Sequence, residues 1–250
     1  MINNENKIHS IDSTSSLQAS SVSAICQNCK QDFIIEIDDF NFYEKIKVPP
    51  PTFCPECRTI RRFLWRNERA LYKRPCNAPG HTEEIISMYS PDVPGTIFDQ
   101  KYWWTDEWDP MQYGKEYNFD VPFLAQFKEL MEQTPLSTLQ NVNSTNSEWC
   151  NPAVDNRNCY LSFAATKNEN ANYCDRIANC QDSLDLYVGN KTELSYSSLF
   201  IENCTKVHFS RHVRNCIDSY FLYYCNNCSD CIGCVNLRNK QFHIFNTSYS

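Results

Sequence analysis

Glycine is scarce in this chain: there are five in 250 residues, and each of them stands alone. A phosphate-binding loop needs several glycines close together, and the turn that exposes a hydrolase serine needs one on each side of it. Neither pattern occurs in the sequence, so we expect no nucleotide-driven chemistry and no serine catalysis of that type. The isolated glycines are Gly80, Gly95, Gly114, Gly189 and Gly233.

Long apolar runs and a secretory leader are absent as well. No stretch of about eighteen apolar residues occurs, so no membrane span is predicted. Residues 1–24 have neither a basic start nor an apolar run, and their Asn, Ser and Thr content predicts disorder. Because the chain is long and has an odd number of cysteines, fifteen, we predict a reducing, cytoplasmic location. The cysteines are then metal ligands or small core residues.

Composition divides the chain into four regions and predicts a mostly β fold of the α+β type. The disordered tail over 1–24 is followed by a zinc-binding module with a basic helix over 25–75. An aromatic connecting region with one helix follows over 76–140, and residues 141–250 form a repeat region that we predict to be β-solenoid-like. The formal net charge of −7 argues against general nucleic-acid binding, but this average conceals a strongly basic segment.

Two CxxC pairs lie in the first module, and they are formed by Cys26 with Cys29 and by Cys54 with Cys57. Each pair turns two sulfurs toward one point, as tetrahedral zinc requires. Because four cysteines leave no position for water, we predict a structural zinc in a zinc-ribbon or treble-clef module. We expect a short hairpin between the pairs, from residues 34–36 and 42–43. A helix is expected after the second pair, because the dipole at its N-terminus favours thiolates.

The basic segment covers residues 58–74, RTIRRFLWRNERALYKR, and we predict one continuous helix along it. Its predicted buried face consists of Ile60, Phe63, Leu64, Ala70 and Leu71. On the other side of the helix, basic and aromatic residues are expected to contact RNA phosphates and unpaired bases. These residues are Arg58, Arg61, Arg62, Trp65, Arg66, Arg69, Tyr72, Lys73 and Arg74. The alternative is that these cations pair with acids of the same chain, such as Asp106, Glu107 and Asp109.

The same part of the sequence carries a pattern that runs from Cys26-x-x-Cys29 through Cys54-Pro55-Glu56-Cys57-Arg58 and Arg66-Asn67-Glu68 to Cys76. This pattern resembles that of the predicted zinc-ribbon, treble-clef-like proteins of uncultivated small-genome bacteria. Further pieces at 87–92, 102–110 and 220–225 are similar to the same group. The resemblance implies a zinc-binding protein, and it implies no particular activity.

The connecting region contains one predicted helix, in which apolar residues recur from Phe123 to Met131. Asp120 is its expected cap, and Pro135 is expected to end it. The acids among the tryptophans of residues 103–109 are typical of sugar-binding clefts, so a carbohydrate-acting enzyme or carbohydrate-binding protein is an alternative function. The other interpretation is that these tryptophans form a packing cluster.

A period of twelve residues runs through the C-terminal region. Written in steps of twelve, the sequence places Cys180, Cys204, Cys216 and Cys228 in one column, directly after a column rich in Asn. Such units are too short for a pair of helices. We therefore predict stacked β-coils of about 24 residues per turn, with the cysteines inside and the Asn residues at turns. The chain ends one step after the last clear repeat, so we expect a truncated sequence or an end covered by a partner or a second copy.

The stretch CNNCSDCIGC at 225–234 contains four cysteines. We assign Cys225 and Cys228 to the repeat and regard Cys231 and Cys234 as additional to it. The last gap and the missing proline argue against an iron–sulfur cluster, while a second zinc site at the four cysteines stays open. Two smaller pairs lack further ligands: Cys76 with His81, and His208 with His212.

These patterns favour a non-enzymatic zinc-binding protein. We expect the basic helix to dock on RNA or a ribonucleoprotein, with the repeat region as an interaction scaffold. No arrangement of nucleophile and base is visible in the sequence, so enzymatic activity is not expected. The alternatives are the carbohydrate function described above and a scaffold for protein–protein interactions alone.

Overall fold

The computed structural model describes residues 21–65, 67 and 69–249. The chain divides into two compact units between residues 66 and 67, inside the region predicted as one zinc module. None of the described helices is long and apolar enough to cross a membrane. The fold is mostly β, as predicted, with a four-cysteine cluster in the first unit and a β-solenoid in the second.

The first unit consists of a hairpin and two helices. Its elements are β1 (Val22–Ile25), β2 (Asp32–Ile35), α1 (Ile37–Lys45) and α2 (Pro55–Phe63). β1 and β2 pair antiparallel. The small core of this unit contains Phe33 and Ile35 together with three cysteines of the CxxC pairs, Cys26, Cys54 and Cys57.

Two predictions for the first unit are wrong in part. Disorder was predicted to residue 24, but residues 22–24 lie in β1; residues 1–20 lie outside the described part of the chain. The predicted hairpin between the cysteine pairs is wrong because Phe42 and Tyr43 lie in α1. Residues 34–35 do form a hairpin strand, but they pair with β1, which precedes the first cysteine pair.

The prediction of one helix over residues 58–74 is wrong. α2 ends at Phe63, and Tyr72–Pro75 form a strand. The Asn67 side chain explains the break: its amide donates to the carbonyls of Ala70 and Met88, and its oxygen accepts the Ala70 N–H. Such local side-chain bonds compete with the backbone bonds of a helix.

The apolar face predicted for that helix is not buried either. Ile60 is 51% exposed, and Leu64 is 78% exposed. The two residues follow the predicted helical spacing, but α2 is short and its described contacts to the core of the first unit are made at its N-terminal cysteines. The tertiary environment has overridden the periodicity of the sequence at this point.

The second unit begins with short strands and helices around an aromatic core. They are β3 (Tyr72–Pro75), β4 (Glu84–Ser87), β5 (Ile97–Phe98), α3 (Gln100–Trp103), a short 3-10 helix (Pro110–Tyr113), α4 (Phe123–Gln133) and β6 (Leu136–Ser137). β3 and β4 form an antiparallel hairpin, while β5 and β6 pair in parallel. Ile97, Phe98 and Tyr102 are at the centre of this core.

The predicted helix of the connecting region is confirmed, but its predicted cap is wrong. α4 begins at Phe123, and no side chain caps its first residue. Gln126 instead bonds the chain that precedes the helix: its side chain accepts the Asn118 N–H and donates to the carbonyls of Asn118 and Val121. The chain that enters the helix is thus held from within the first turn.

The rest of the second unit is a parallel β-solenoid of about nine turns. Its strands are β7 (Asn141–Val142), β8 (Ala153–Val154), β9 (Ala165–Thr166), β10 (Asp175–Ala178), β11 (Leu184–Glu193), β12 (Tyr196–His208), β13 (Arg211–Arg214), β14 (Ile217–Tyr220), β15 (Asn226–Ile232), β16 (Arg238–Ile244) and β17 (Thr247–Ser248). In the parallel ladders each residue pairs with the residue twelve positions later, for example Leu184 with Tyr196. One full turn of the solenoid therefore takes twelve residues.

A shorter period of three residues builds each turn. Every third residue from Ser147 to Cys234 is buried. From Asp155 to Asp230, the residue before each interior position adopts a left-handed backbone, as at Asn203 (φ 51°) and Asn215 (φ 52°). Because the chain bends at every third residue, it makes four bends in twelve residues and closes a coil. The predicted turn of 24 residues is therefore wrong by a factor of two.

The other predictions for the repeat are confirmed. Cys180, Cys204, Cys216 and Cys228 lie in the interior and are at most 3% exposed. The Asn column before them lies on the outside in left-handed conformation, which asparagine tolerates better than most residues. Its amides bond from coil to coil, with Asn203 Nδ2 donating to Asn215 Oδ1 at 3.2 Å and Asn227 to Asn239 at 2.7 Å.

Stacked rings connect the coils on other outer columns of the solenoid. The His212 ring stacks between Phe200 and Tyr224, with centroid distances of 4.8 and 4.4 Å, and His208 stacks on Tyr220 at 5.0 Å. The two histidines thus belong to two separate ring stacks. Both residues lie on strands, β12 and β13, so their spacing of four does not place them on one face of a helix.

The last described strand covers part of the final coil. β17 turns back and pairs antiparallel with β16. The Asn246 side chain in this turn accepts the Val235 N–H at 2.9 Å and donates to the Val235 carbonyl at 2.8 Å. A strand of the chain itself therefore pairs with the edge of β16 over the length of this short hairpin.

Candidate metal centre

Four cysteines of the first unit meet at one point. Cys26 follows β1 and Cys29 lies before β2, while Cys54 is the N-cap of α2 and Cys57 lies in its first turn. Their sulfurs all lie within 4.8 Å of one another, and the Sγ atoms of Cys29 and Cys54 are 3.8 Å apart. Tetrahedral coordination with metal–sulfur bonds of about 2.3 Å requires sulfurs about 3.8 Å apart. The predicted convergence of the two CxxC pairs is confirmed.

The sulfurs of this cluster accept hydrogen bonds. Cys26 Sγ accepts the Cys54 N–H at 3.2 Å, and Cys54 Sγ accepts the Cys57 N–H at 3.5 Å. Cys57 Sγ accepts from the Asn28 side-chain amide at 3.3 Å. These donors and the N-terminal dipole of α2 stabilise negative charge on sulfur, which is the form that binds a metal.

The pKa values of Cys26 and Cys29 move in opposite directions. Burial acts to raise the pKa of Cys26, but the backbone N–H groups of Cys54, Cys29 and Asn28 outweigh it and lower the pKa to about 6. The Gln31 N–H acts to lower the pKa of Cys29, but desolvation and the bonds shared with the other three thiols raise it to about 12. Four thiols this close do not all ionise by themselves, so the full set of thiolates requires a cation among them.

The stretch CNNCSDCIGC forms one coil of the solenoid. Cys225, Cys228, Cys231 and Cys234 occupy its four interior positions, and each is at most 3% exposed. Our assignment of Cys231 and Cys234 as additional to the repeat is therefore wrong, because they occupy the other two interior columns. In the part of the chain that the structure describes, these sulfurs do not form a group with all ligand atoms within 4.8 Å of one another.

The cysteines of this coil donate hydrogen bonds to carbonyl groups. The Cys225 thiol donates to the Cys234 carbonyl at 3.3 Å, and the Cys231 thiol donates to the Ser229 carbonyl at 3.0 Å. Burial raises the pKa of Cys225 and of Cys231. The cysteines of this coil thus fill the narrow interior as small buried side chains. All fifteen cysteines lie among the described residues, and all are free.

The solenoid cysteines are expected to resist alkylation in the folded protein. Burial raises the pKa of Cys174 and of Cys216 to about 12, so at about pH 8 roughly one thiol in 10,000 is ionised, and only the thiolate reacts. Mass spectrometry after iodoacetamide treatment should find both residues unmodified in native protein and fully modified in denaturant. Rapid labelling of Cys216 in the native state would show that the interior is open.

A second cluster of metal-binding residue types lies in the second unit. Cys76, His81 and Glu83 have ligand atoms that all lie within 4.8 Å of one another. The pair Cys76 and His81 is visible in the sequence, but the third member was missed. The signal that was present is the spacing C-x4-H-x-E, which brings the residues together because the loop between β3 and β4 folds back on itself.

The predicted basic surface is divided between the two units. Arg58, Arg61 and Arg62 lie on α2, and Trp65 follows it, 78% exposed. Arg66 lies outside the described residues. Tyr72, Lys73 and Arg74 lie on β3 in the second unit, and Arg69 precedes that strand.

The basic residues of the second unit make contacts within that unit. Arg69 forms an ion pair with Asp175 at 2.9 Å, and Arg74 is buried and donates to the Ser90 carbonyl at 3.1 Å. Lys73 lies over the Trp149 ring. The alternative of internal pairing thus holds for Arg69, but its partner is not one of the acids that the sequence suggested.

Asp109 and Glu107, two of the acids that the sequence suggested as partners of the basic residues, have other surroundings in the structure. Asp109 Oδ1 accepts the Met111 N–H at 2.8 Å and caps the 3-10 helix. The neighbouring Trp103 and Trp108 rings pack with centroids 5.8 Å apart, as a packing cluster would. Glu107 lies on the wall of a cleft of about 1180 Å³ in the second unit, which His81 and Glu83 also line.

A scan against protein-family models gives no match for this chain. A search of curated proteins gives no match either. The fold and the site define a β-solenoid protein with an N-terminal four-cysteine cluster placed for metal binding. The resemblance to small-genome zinc-ribbon proteins stays a prediction, and function has to be argued from the residues themselves.

Proposed function

We propose that the four-cysteine cluster holds one structural zinc ion, and that the first unit docks on RNA or a ribonucleoprotein while the solenoid serves as an interaction scaffold. Four thiolates suit zinc, and they close its coordination sphere against water and substrate. Two ligands flank the turn of the β1–β2 hairpin and two belong to α2. The ion would therefore fix this helix, with its arginines, against the hairpin.

The observation that carries the RNA proposal is a set of three arginines on α2 with neutral partners. Within the described residues none of them pairs with a carboxylate; their contacts are the Tyr43 hydroxyl for Arg58, the Phe53 ring for Arg61 and the Thr59 hydroxyl for Arg62. Together with Trp65 they line a small pocket of about 270 Å³. Guanidinium groups bind phosphate oxygens in a bidentate manner, and an exposed indole stacks on unpaired bases.

Reversing two of these charges is expected to weaken binding to single-stranded RNA at least about tenfold. In the Arg61→Glu, Arg62→Glu variant two phosphate contacts are lost and two repulsive charges are added. Each phosphate contact contributes about 0.7 to the slope of log K against log salt for a single strand, so that slope should fall by about 1.4. Fluorescence anisotropy with a labelled oligonucleotide at several salt concentrations measures both effects.

The matched control is Arg211→Glu, Arg238→Glu, which makes the same change of charge on exposed residues of the solenoid. This variant should retain the affinity of the native protein to within a few-fold. Equal losses in the two variants would mean that net charge alone governs binding. An unchanged affinity in the α2 variant, with zinc still bound, would overturn the RNA proposal and leave a scaffold for protein partners.

A further inference from the structure

We propose that the second unit holds a second transition-metal ion, of the zinc class, at Cys76, His81 and Glu83, with a coordination position open to the adjoining cleft. This inference goes beyond the proposed function, which concerns the first unit alone. It rests on the convergence of three ligand types, on the hydrogen bonds of the sulfur, and on the position of the group at the wall of the cleft.

The loop between β3 and β4 brings the three residues together. Cys76 follows β3 directly, and its N–H donates to the Glu83 carbonyl at 3.1 Å, which closes the loop at its base. The His81 N–H donates to the Ala78 carbonyl at 3.1 Å and forms a turn inside it. Gly80 adopts φ +79°, a conformation that glycine enters without strain. The turn thus returns His81 and Glu83 to the side of the sulfur.

The Cys76 sulfur is buried and is held by two backbone hydrogen bonds. It is 6% exposed, and it accepts the N–H groups of Ala78 at 3.4 Å and of Asp99 at 3.2 Å. These two donors fix the sulfur at the place where His81 and Glu83 also meet. The same type of bond is made by the sulfurs of the four-cysteine cluster.

The other two ligands are held in place by their neighbours. His81 Nδ1 and Glu83 Oε1 are 2.6 Å apart, and Glu83 Oε2 accepts the Thr82 N–H at 3.0 Å. The Tyr102 ring packs edge-on against the imidazole, with centroids 5.0 Å apart. Neutral imidazole and carboxylate, with one thiolate, form a donor set that suits zinc and its neighbours in the first transition series.

Three protein ligands leave a coordination position free for water or another small ligand. His81 and Glu83 line the cleft of about 1180 Å³, so the free position opens into space that a ligand can enter. Four other acids line the same cleft and would attract a divalent cation to it: Glu84, Asp99, Glu107 and Glu148. The four-cysteine cluster has no such opening, because its ligands occupy all four positions.

The test is the metal content of the full chain after dialysis against a weak chelator. The native protein should retain two zinc ions, and the His81→Ala variant should retain one. The Cys54→Ser, Cys57→Ser variant should also retain one, and adding His81→Ala to it should remove the last. In Glu83→Gln the second ion should bind at least about 10-fold more weakly, because a carboxylate ligand is lost and losing only an outer-shell partner already costs about that much. With cobalt, the second ion should show about a quarter of the thiolate charge-transfer intensity of the first, because it has one sulfur ligand.

The side chains of His81 and Glu83 are 29% and 52% exposed, so these variants should fold even if a change at the buried Cys76 does not. Circular dichroism and melting temperature verify that they do. His243→Ala is the matched control, since His243 lies on the solenoid outside both groups of ligands and should leave both ions bound. The proposal would be overturned if the native protein held a single zinc ion that the Cys54→Ser, Cys57→Ser variant loses, or if folded His81→Ala retained two. A zinc ion that the Cys54→Ser, Cys57→Ser variant retains is the second ion, whether or not the first site binds zinc.

Discussion

Replacing Cys54 and Cys57 with serine is expected to remove one zinc ion and to unfold the first unit, while the solenoid stays folded. The core of the first unit is small. Its buried residues are the two larger apolar residues Phe33 and Ile35 and three cysteines, Cys26, Cys54 and Cys57. Apparent binding free energies of structural zinc in small modules are about 10–16 kcal/mol. Without its metal, a unit of this size buries too little apolar surface to offset the conformational entropy that its chain loses on folding.

Hydrogen exchange measured residue by residue separates the two units. In the double variant the amides of β1, β2 and α2 should lose most of their protection, and those of β11 and β12 should keep theirs. RNA binding should disappear in parallel, because α2 would no longer be held. The control is Cys225→Ser, Cys228→Ser, in which the zinc content of the first unit should be unchanged. A native zinc content in the Cys54→Ser, Cys57→Ser variant would contradict the assignment of the ligands.

The four ligands of the first unit could be predicted because their signal is local. In each CxxC pair two sulfurs are brought together by a single turn, whatever the rest of the chain does. The helix at the second cysteine pair was also predicted from local signals, but its predicted length was wrong. The periodicity of residues 58–74 favours a helix throughout, and it carries no information on the side-chain bonds of Asn67 that end it.

The solenoid was visible in the sequence as a period of twelve, but its shorter period of three was not. The interior residues share no single chemistry, and small ones are frequent among them: Val207, Ser210, Val213 and Cys216 follow one another around one coil. A column of identical residues is easy to find, whereas a requirement for small volume is spread over several residue types. The ligand Glu83 was missed for a related reason, since only the folded loop places it beside Cys76.

Deleting residues 205–216 is expected to remove one coil and to leave a folded, shorter solenoid. The deletion joins Cys204 to Ile217, so Ser219 takes the interior position of Val207 and every later column is kept. In a repeat protein stability is close to a sum over repeats and their interfaces, so the loss should be that of one coil. We expect a cooperative melting transition lowered by roughly 5–10 °C, and unchanged zinc in the first unit.

Deleting one residue fewer, 205–215, should have a much larger effect, although it removes less of the chain. Every later residue would then shift by one position. Asp218 and Asp230 would enter the interior, and the bulky Phe221 and Tyr224 would take positions that now hold small residues. An unpaired buried carboxylate destabilises a fold by several kcal/mol, so two of them have a cost comparable to the whole stability of many domains. Circular dichroism and limited proteolysis compare the two deletions directly. Similar melting behaviour in both would contradict the twelve-residue coil.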